Sequence, residues 1–124
     1  MTPVPMVRGL RGATTVEADT AAQVTERSQE LLRELMARNE LTEDDIVSIL
    51  FTATSDVTSM FPATAIREMG FGAVPLLCAA EIAVPGAMPS CIRVLLHVYT
   101  PRSRDDMHHV YLHGAQGLRD DLPD

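Results

Sequence analysis

Several absences in this 124-residue chain narrow its class before any motif is considered. Its only cysteines, Cys78 and Cys91, are too few for a disulfide scaffold, and their scarcity fits a reducing compartment. No stretch approaches the ~20 consecutive apolar residues that a membrane span requires, so no membrane partner is expected. Basic residues are in deficit: 10 Lys and Arg stand against 17 Asp and Glu, a formal charge of −7. That balance argues against a nucleic-acid partner, because neutralising phosphates needs a basic face. Gly70-Phe71-Gly72 lacks the spacing of either nucleotide-binding fingerprint. Repeats and low-complexity segments are missing. The first residues carry prolines and an arginine but no apolar core of a signal peptide, which leads us to expect a cytoplasmic chain.

What remains is a globular composition, 46% apolar and 22% charged. The length suits one domain over residues 1–124, with 1–5 and 119–124 as loose ends. Met6 to Ala13 reads as a strand. Thr20 starts a long helix, with Gln23 completing a capping box and Asn39 as C-terminal cap. Val24, Leu31, Leu32, Leu35 and Met36 form its apolar stripe, and Arg27, Glu34 and Arg38 fall on the polar face. Ile46 to Ala53 reads as a second strand, and Pro62 opens a short helix to Glu68. Further strands are expected over Ala73 to Cys78, Cys91 to Thr100 and His109 to Leu118. The fold class is therefore α+β, a mixed sheet with one long helix. One helix covers one face of five strands, yet Ile46–Phe51 and Ile92–Leu96 are apolar on both faces. A lone copy would expose a large apolar patch, so a homo-oligomer is expected.

Arg93 stands in mid-strand between Ile92 and Val94, and a buried guanidinium needs an anion. That anion is either a structural carboxylate or a ligand, and sequence leaves both open. Arg8 and Arg11, flanked by Gly9 and Gly12, point to opposite faces of the first strand; each is otherwise a solvated arginine. Glycine there permits close approach of a ligand or another backbone. Glu81 follows a strand end, a common position for site residues and for ordinary surface carboxylates. Cys78 is either a nucleophile or a small buried hydrophobe. On a strand, His109 and His113 share a face that His108 does not, so three converging metal ligands are not expected. The inventory, arginines on strands without an acid–base pair, suits binding a small anion better than hydrolysis. It implies no cofactor and no metal.

Taken together, the segments Arg8-Gly9-Leu10-Arg11-Gly12-Ala13-Thr14-Thr15-Val16-Glu17, Phe61-Pro62-Ala63 with Arg67-Glu68, Val74 to Glu81, Cys91-Ile92-Arg93-Val94, and His109-Val110-Tyr111-Leu112 with Leu118-Arg119 resemble the monofunctional trimeric chorismate mutases. The resemblance implies a homotrimeric pseudo α/β barrel with sites at subunit interfaces. It implies an isomerase that rearranges chorismate to prephenate in phenylalanine and tyrosine biosynthesis. It also implies roles: Arg11 and Tyr111 for a carboxylate, Arg93 for the ether oxygen and Glu81 for the ring hydroxyl. Phe61, Arg67, Leu77, Cys78, Ala79, Ala80, Leu118 and Arg119 would border the substrate. Thr64 stands where the family often has a basic residue, and Leu77 where threonine is common, so the backbone of Leu77 is the expected contact. Imine deaminases of similar architecture and a non-catalytic trimer sensing an anion are the rival readings.

Overall fold

In the computed structural model, which describes residues 4–118, Thr20 caps the long helix α1, Ala21–Arg38. Its hydroxyl oxygen accepts the Gln23 N–H at 3.2 Å. The other half of the expected capping box is redirected. Thr20 N–H donates to Ala18 O, and the Gln23 side-chain oxygen instead accepts from the backbone of Glu17 and Ala18. Val24, Leu31, Leu32 and Leu35 are buried, as the stripe requires, with Met36 packed at its border. Arg27 departs from its expected place on the polar face: it is buried, and Nη1 donates to Thr15 O at 2.7 Å. Asn39 ends the helix with its side chain. Nδ2 donates to Leu35 O and to His108 O, and Oδ1 accepts from His108 N–H at 2.7 Å. The left-handed residue is the next one, Glu40, at φ 54°.

Five strands follow the expected order: β1 Met6–Thr15, β2 Ile46–Ala53, β3 Leu76–Ala80, β4 Cys91–Thr100 and β5 Val110–Tyr111. The short helix α2, Pro62–Arg67, joins β2 to β3. The sheet order is β3-β2-β4-β1-β5, with β4 antiparallel to both neighbours and each outer strand parallel to the one beside it. This is the α+β fold that the pattern implies.

Three strands differ from expectation in their bounds, the first only by running two residues further, to Thr15. The third strand starts at Leu76 rather than Ala73, because Val74 closes a turn onto Phe71 O and Pro75 has no N–H to give. It then runs on through Ala79 and Ala80, paired with Thr52 and Ala53. The last strand is two residues long, not ten. Leu112 N–H still reaches Ala13 O, but His113 takes φ 51° and a 3₁₀ turn, His113–Ala115, follows.

The sheet has one well-covered face. Leu10, Phe51 and Leu96 join Leu31, Leu35 and Ile66 from the helices in one buried cluster. Gly12 allows this approach: a Cβ there would lie 2.9 Å from Leu35 Cδ1 and 3.1 Å from Leu31 Cδ1. The close neighbour that this glycine accommodates is thus α1, not a ligand. On the opposite face the 113–118 turn covers one end, packing Ala115 on Ala13 and Cys91. Elsewhere on that face Val7, Leu77 and Tyr99 stand exposed, the apolar patch expected of a single copy.

Candidate active site

Strand alternation places Arg11 and Ala13 of β1, Arg93 and Leu95 of β4, and Leu50 and Thr52 of β2 on the open face. The register sets them side by side: Arg11 opposite Leu95, Ala13 opposite Arg93, Leu50 opposite Leu95, Thr52 opposite Arg93. Arg93 is not buried as its apolar neighbours suggest. Its side chain is 42% exposed, because those neighbours face the helices while it faces the open side.

Both candidate anions for Arg93 have a place here. Glu81 supplies the structural one, with Oε2 3.2 Å from Arg93 Nε and its side chain 16% exposed. Glu81 is set there from two directions: its N–H donates to Ala53 O, and Thr52 Oγ1 donates to Oε2 at 2.8 Å. The contact with Arg93 is nevertheless one of charge, since the Nε–H is not aligned on an acceptor. With the Arg93 side chain 42% exposed and its Nε–H out of line, the pair is worth little to stability, about 1 kcal/mol. What it provides is orientation of a guanidinium that borders a hollow.

The other side of the hollow is built by β5. Asn39 holds the backbone of His108, and Arg11 N–H donates to His109 Nδ1 at 2.9 Å, leaving the ring proton on Nε2. Val110 and Tyr111 then pair with Gly12 and Ala13. Arg11, Thr52, Arg93, Leu95, Tyr111 and Leu118 line a hollow of about 300 Å³, with Leu50, Gly12, Ala13 and Val94 completing it. Beneath it Cys91 is buried, and burial pushes its thiol pKa up despite the nearby Arg93 charge. A protonated buried thiol is a poor nucleophile, so Cys91 packs rather than reacts.

The expected site residues do not converge in one copy. Arg11, Arg93, Tyr111 and Leu118 share the hollow, with Glu81 joined through Arg93. Phe61, Cys78, Ala79 and Ala80 line a different recess, between β3 and the loop after β2. Cys78 pairs with the core residue Phe51 and so points to the helical side, away from Glu81. Leu77 is exposed on the open face and Arg67 is exposed at the end of α2. Arg119 lies outside the described residues. Sequence reading missed Thr52, Leu50 and Leu95. Counting alternation along β2 and β4 from Arg93 would have found them.

Compared with known proteins, residues 7–122 match the family model described as chorismate mutase type I. The chain is 42% identical over 118 residues to chorismate mutase AroH of Bacillus subtilis, covering 94% of this chain and 93% of that protein. It is 45% identical over 118 residues to chorismate mutase AroH of Thermus thermophilus, covering 94% and 97%. A solved chorismate mutase from Clostridium thermocellum superposes with a TM-score of 0.86 at 48% identity, over 88% of this chain and 97% of that one. The chain belongs to the type I chorismate mutase family.

Proposed function

We propose that the hollow between β1, β4 and β5 binds chorismate and carries its rearrangement to prephenate, a step of aromatic amino-acid biosynthesis. The observation that carries this reading is Arg93, oriented by Glu81 at 3.2 Å on the rim of a hollow it shares with Arg11 and Tyr111. The reaction breaks one C–O bond as a C–C bond forms, with no proton transfer, so an arginine site without base or nucleophile suffices. Arg11 and Tyr111 grip a substrate carboxylate and favour the compact conformer in which the reacting carbons meet. Glu81 accepts from the ring hydroxyl. Arg93 stabilises negative charge growing on the ether oxygen, and because that charge exists only in the transition state the interaction raises rate rather than affinity. A ~10⁶-fold acceleration needs roughly 8 kcal/mol. One preorganised donor at developing charge contributes about 3–4 kcal/mol, and conformer restriction can supply the rest.

The proposal includes assembly. Phe61 and Cys78 to Ala80 lie in a separate recess from the arginines, and an apolar sheet face is open. A homotrimer in which one copy brings the Phe61 recess to the arginine hollow of the next accounts for both features. Arg67, Leu77 and Arg119 then border the completed pocket. We take residues 1–124 as one domain acting in the cytoplasm, a location supported by two free cysteines. Among the described residues no helix is long and apolar enough to cross a membrane. The direct test is loss of chorismate absorbance on adding purified protein, with light scattering for the assembly. Binding of chorismate without turnover, or a monomeric mass, refutes the corresponding part.

A further inference from the structure

The loop between β2 and α2, residues 54–61, ends in Phe61, which is 69% exposed although it is the helix-capping residue of α2. An exposed phenylalanine has no packing of its own to hold it, so its position is set by the backbone that delivers it. That backbone is tied at both ends by carboxylates. At the start, Asp56 accepts from Thr54 Oγ1, from Ser90 N–H at 2.9 Å and from Ser90 Oγ at 3.2 Å, which fixes the loop to the entry of β4. Thr54 itself exchanges backbone and hydroxyl bonds with Cys91. At the far end, Asp19 accepts from Thr58 N–H at 3.0 Å, Thr58 Oγ1 at 2.6 Å and Ser59 N–H at 3.0 Å. Asp19 immediately precedes the α1 cap Thr20 in a segment already folded onto Gln23, so its carboxylate is a fixed post. These bonds hold the Asp19 carboxyl down at about 2, a sign that the hydroxyl and amide donors favour its charged form.

We propose that Asp19 is a positioning residue for substrate binding, acting through Phe61: its carboxylate holds the Thr58–Ser59 backbone, and that backbone holds the ring. This rests on the functional reading only in naming what Phe61 touches. No other side chain among the described residues is hydrogen-bonded to Thr58 or Ser59, and Met60, between them and the ring, packs at the border of the core with Thr25 Oγ1 donating to its sulfur at 3.0 Å. Loss of Asp19 therefore frees Thr58 and Ser59, which deliver the chain to Met60 and Phe61, while the core beneath, at Pro62, Ala63, Ala65 and Ile66, stays packed.

The test compares Asp19→Ala and Asp19→Asn in the full chain. The first readout is fluorine NMR on protein labelled with 4-fluorophenylalanine. There are three phenylalanines, Phe51, Phe61 and Phe71, and the resonance lost in Phe61→Ala assigns the Phe61 signal. The expected result is a shifted and broadened Phe61 signal in Asp19→Ala, with Phe51 and Phe71 unchanged, and a smaller shift in Asp19→Asn, which keeps one acceptor oxygen. The second readout is kinetic: KM for chorismate rises about tenfold in Asp19→Ala with kcat near native, as expected for a displaced binding wall. In a Phe61→Ala background the same substitution then has no further effect on KM. An unmoved Phe61 signal overturns the proposal, and so does an undiminished KM effect in the Phe61→Ala background. Native protein without mutase activity would refute the functional reading, with the fluorine result still deciding the positioning.

Discussion

Replacing Arg93 by lysine isolates the contribution of the guanidinium fork, because the charge is kept and only the geometry is lost. In the native site Nε lies 3.2 Å from Glu81 Oε2, and the rest of the fork is left for the hollow. Lysine has a single nitrogen on a flexible stem. Glu81, fixed by Thr52 and 16% exposed, competes for that nitrogen, so the ammonium cannot serve both the carboxylate and a developing oxyanion. The loss is one preorganised donor, about 3–4 kcal/mol, or a 10²–10³-fold fall in kcat. Folding should be nearly indifferent: a half-exposed ion pair contributes no more than about 1 kcal/mol, and lysine retains part of it. The assay is initial-rate loss of chorismate absorbance across a wide substrate range, which separates kcat from KM, with thermal unfolding as the control. If kcat stays within about threefold of native, Arg93 does not act on the transition state. A rise in KM alone would make it a ground-state grip instead.

Arg11→Ala should raise KM, since hydrogen bonds to a charged group are worth about 1.5–3 kcal/mol, or roughly tenfold and more in binding; an unchanged KM removes Arg11 from the site. Gly12→Ala should destabilise the fold by about 1–3 kcal/mol, read from urea unfolding, because its Cβ would meet Leu35 at 2.9 Å with Leu31 and Val94 at 3.1 Å. Asp19 has a folded pKa of about 2, below its ordinary 3.8, so its contribution to stability is complete above about pH 4 and lost as pH falls through about 2. Asp19→Asn should accordingly unfold with a flatter dependence on pH in that window, measured by circular dichroism. Dilution should lower specific activity once the assembly dissociates; activity constant per chain across dissociation, followed by light scattering, would show that one copy suffices.

The helix and the first four strands were legible because each rests on a local cause: the Thr20 cap, the apolar stripe of α1, and the β-branched runs of β2 and β4. The failures were also local, and they fell where tertiary bonds compete with propensity. Gln23 was expected to close its own cap, but the incoming chain at Glu17 and Ala18 offered it two donors. Arg27 looked polar by spacing and is buried, because Thr15 O waits under the helix for a donor. The segment after Tyr111 has a strand composition, yet His113 turns at φ 51° and pairs its Nε2 with Glu30 at 2.8 Å. For the candidate site, sequence marked the charged residues and missed Thr52, whose hydroxyl orients Glu81. A threonine in a strand has an ordinary reason to be there, and nothing in its flanks distinguishes one that holds a carboxylate.

The misjudged burial of Arg93 has a physical consequence for how such a site works. In one copy the Arg93 side chain is 42% exposed on an open face, where water screens its attraction to an incoming anion. Covering that face with a second copy withdraws water from the same charges without moving them. At an effective dielectric near 20 rather than 80, a pair at about 4 Å interacts roughly four times more strongly. In the proposed homotrimer the sequence pattern that suggests a buried arginine would describe the assembled state: apolar residues on both sides of β4 are needed only if both sides are covered. A chain that buried Arg93 by itself would bear the desolvation cost during folding, with no ligand present. In the proposed trimer, leaving the arginine half-exposed until subunits meet would shift that cost to association, where burial of the now exposed Leu77, Val7 and Tyr99 would offset it. The open sheet face and the strength of the anion site would then be one design feature, and Val7→Glu, away from the hollow, should raise KM for chorismate in the absorbance assay without touching an arginine.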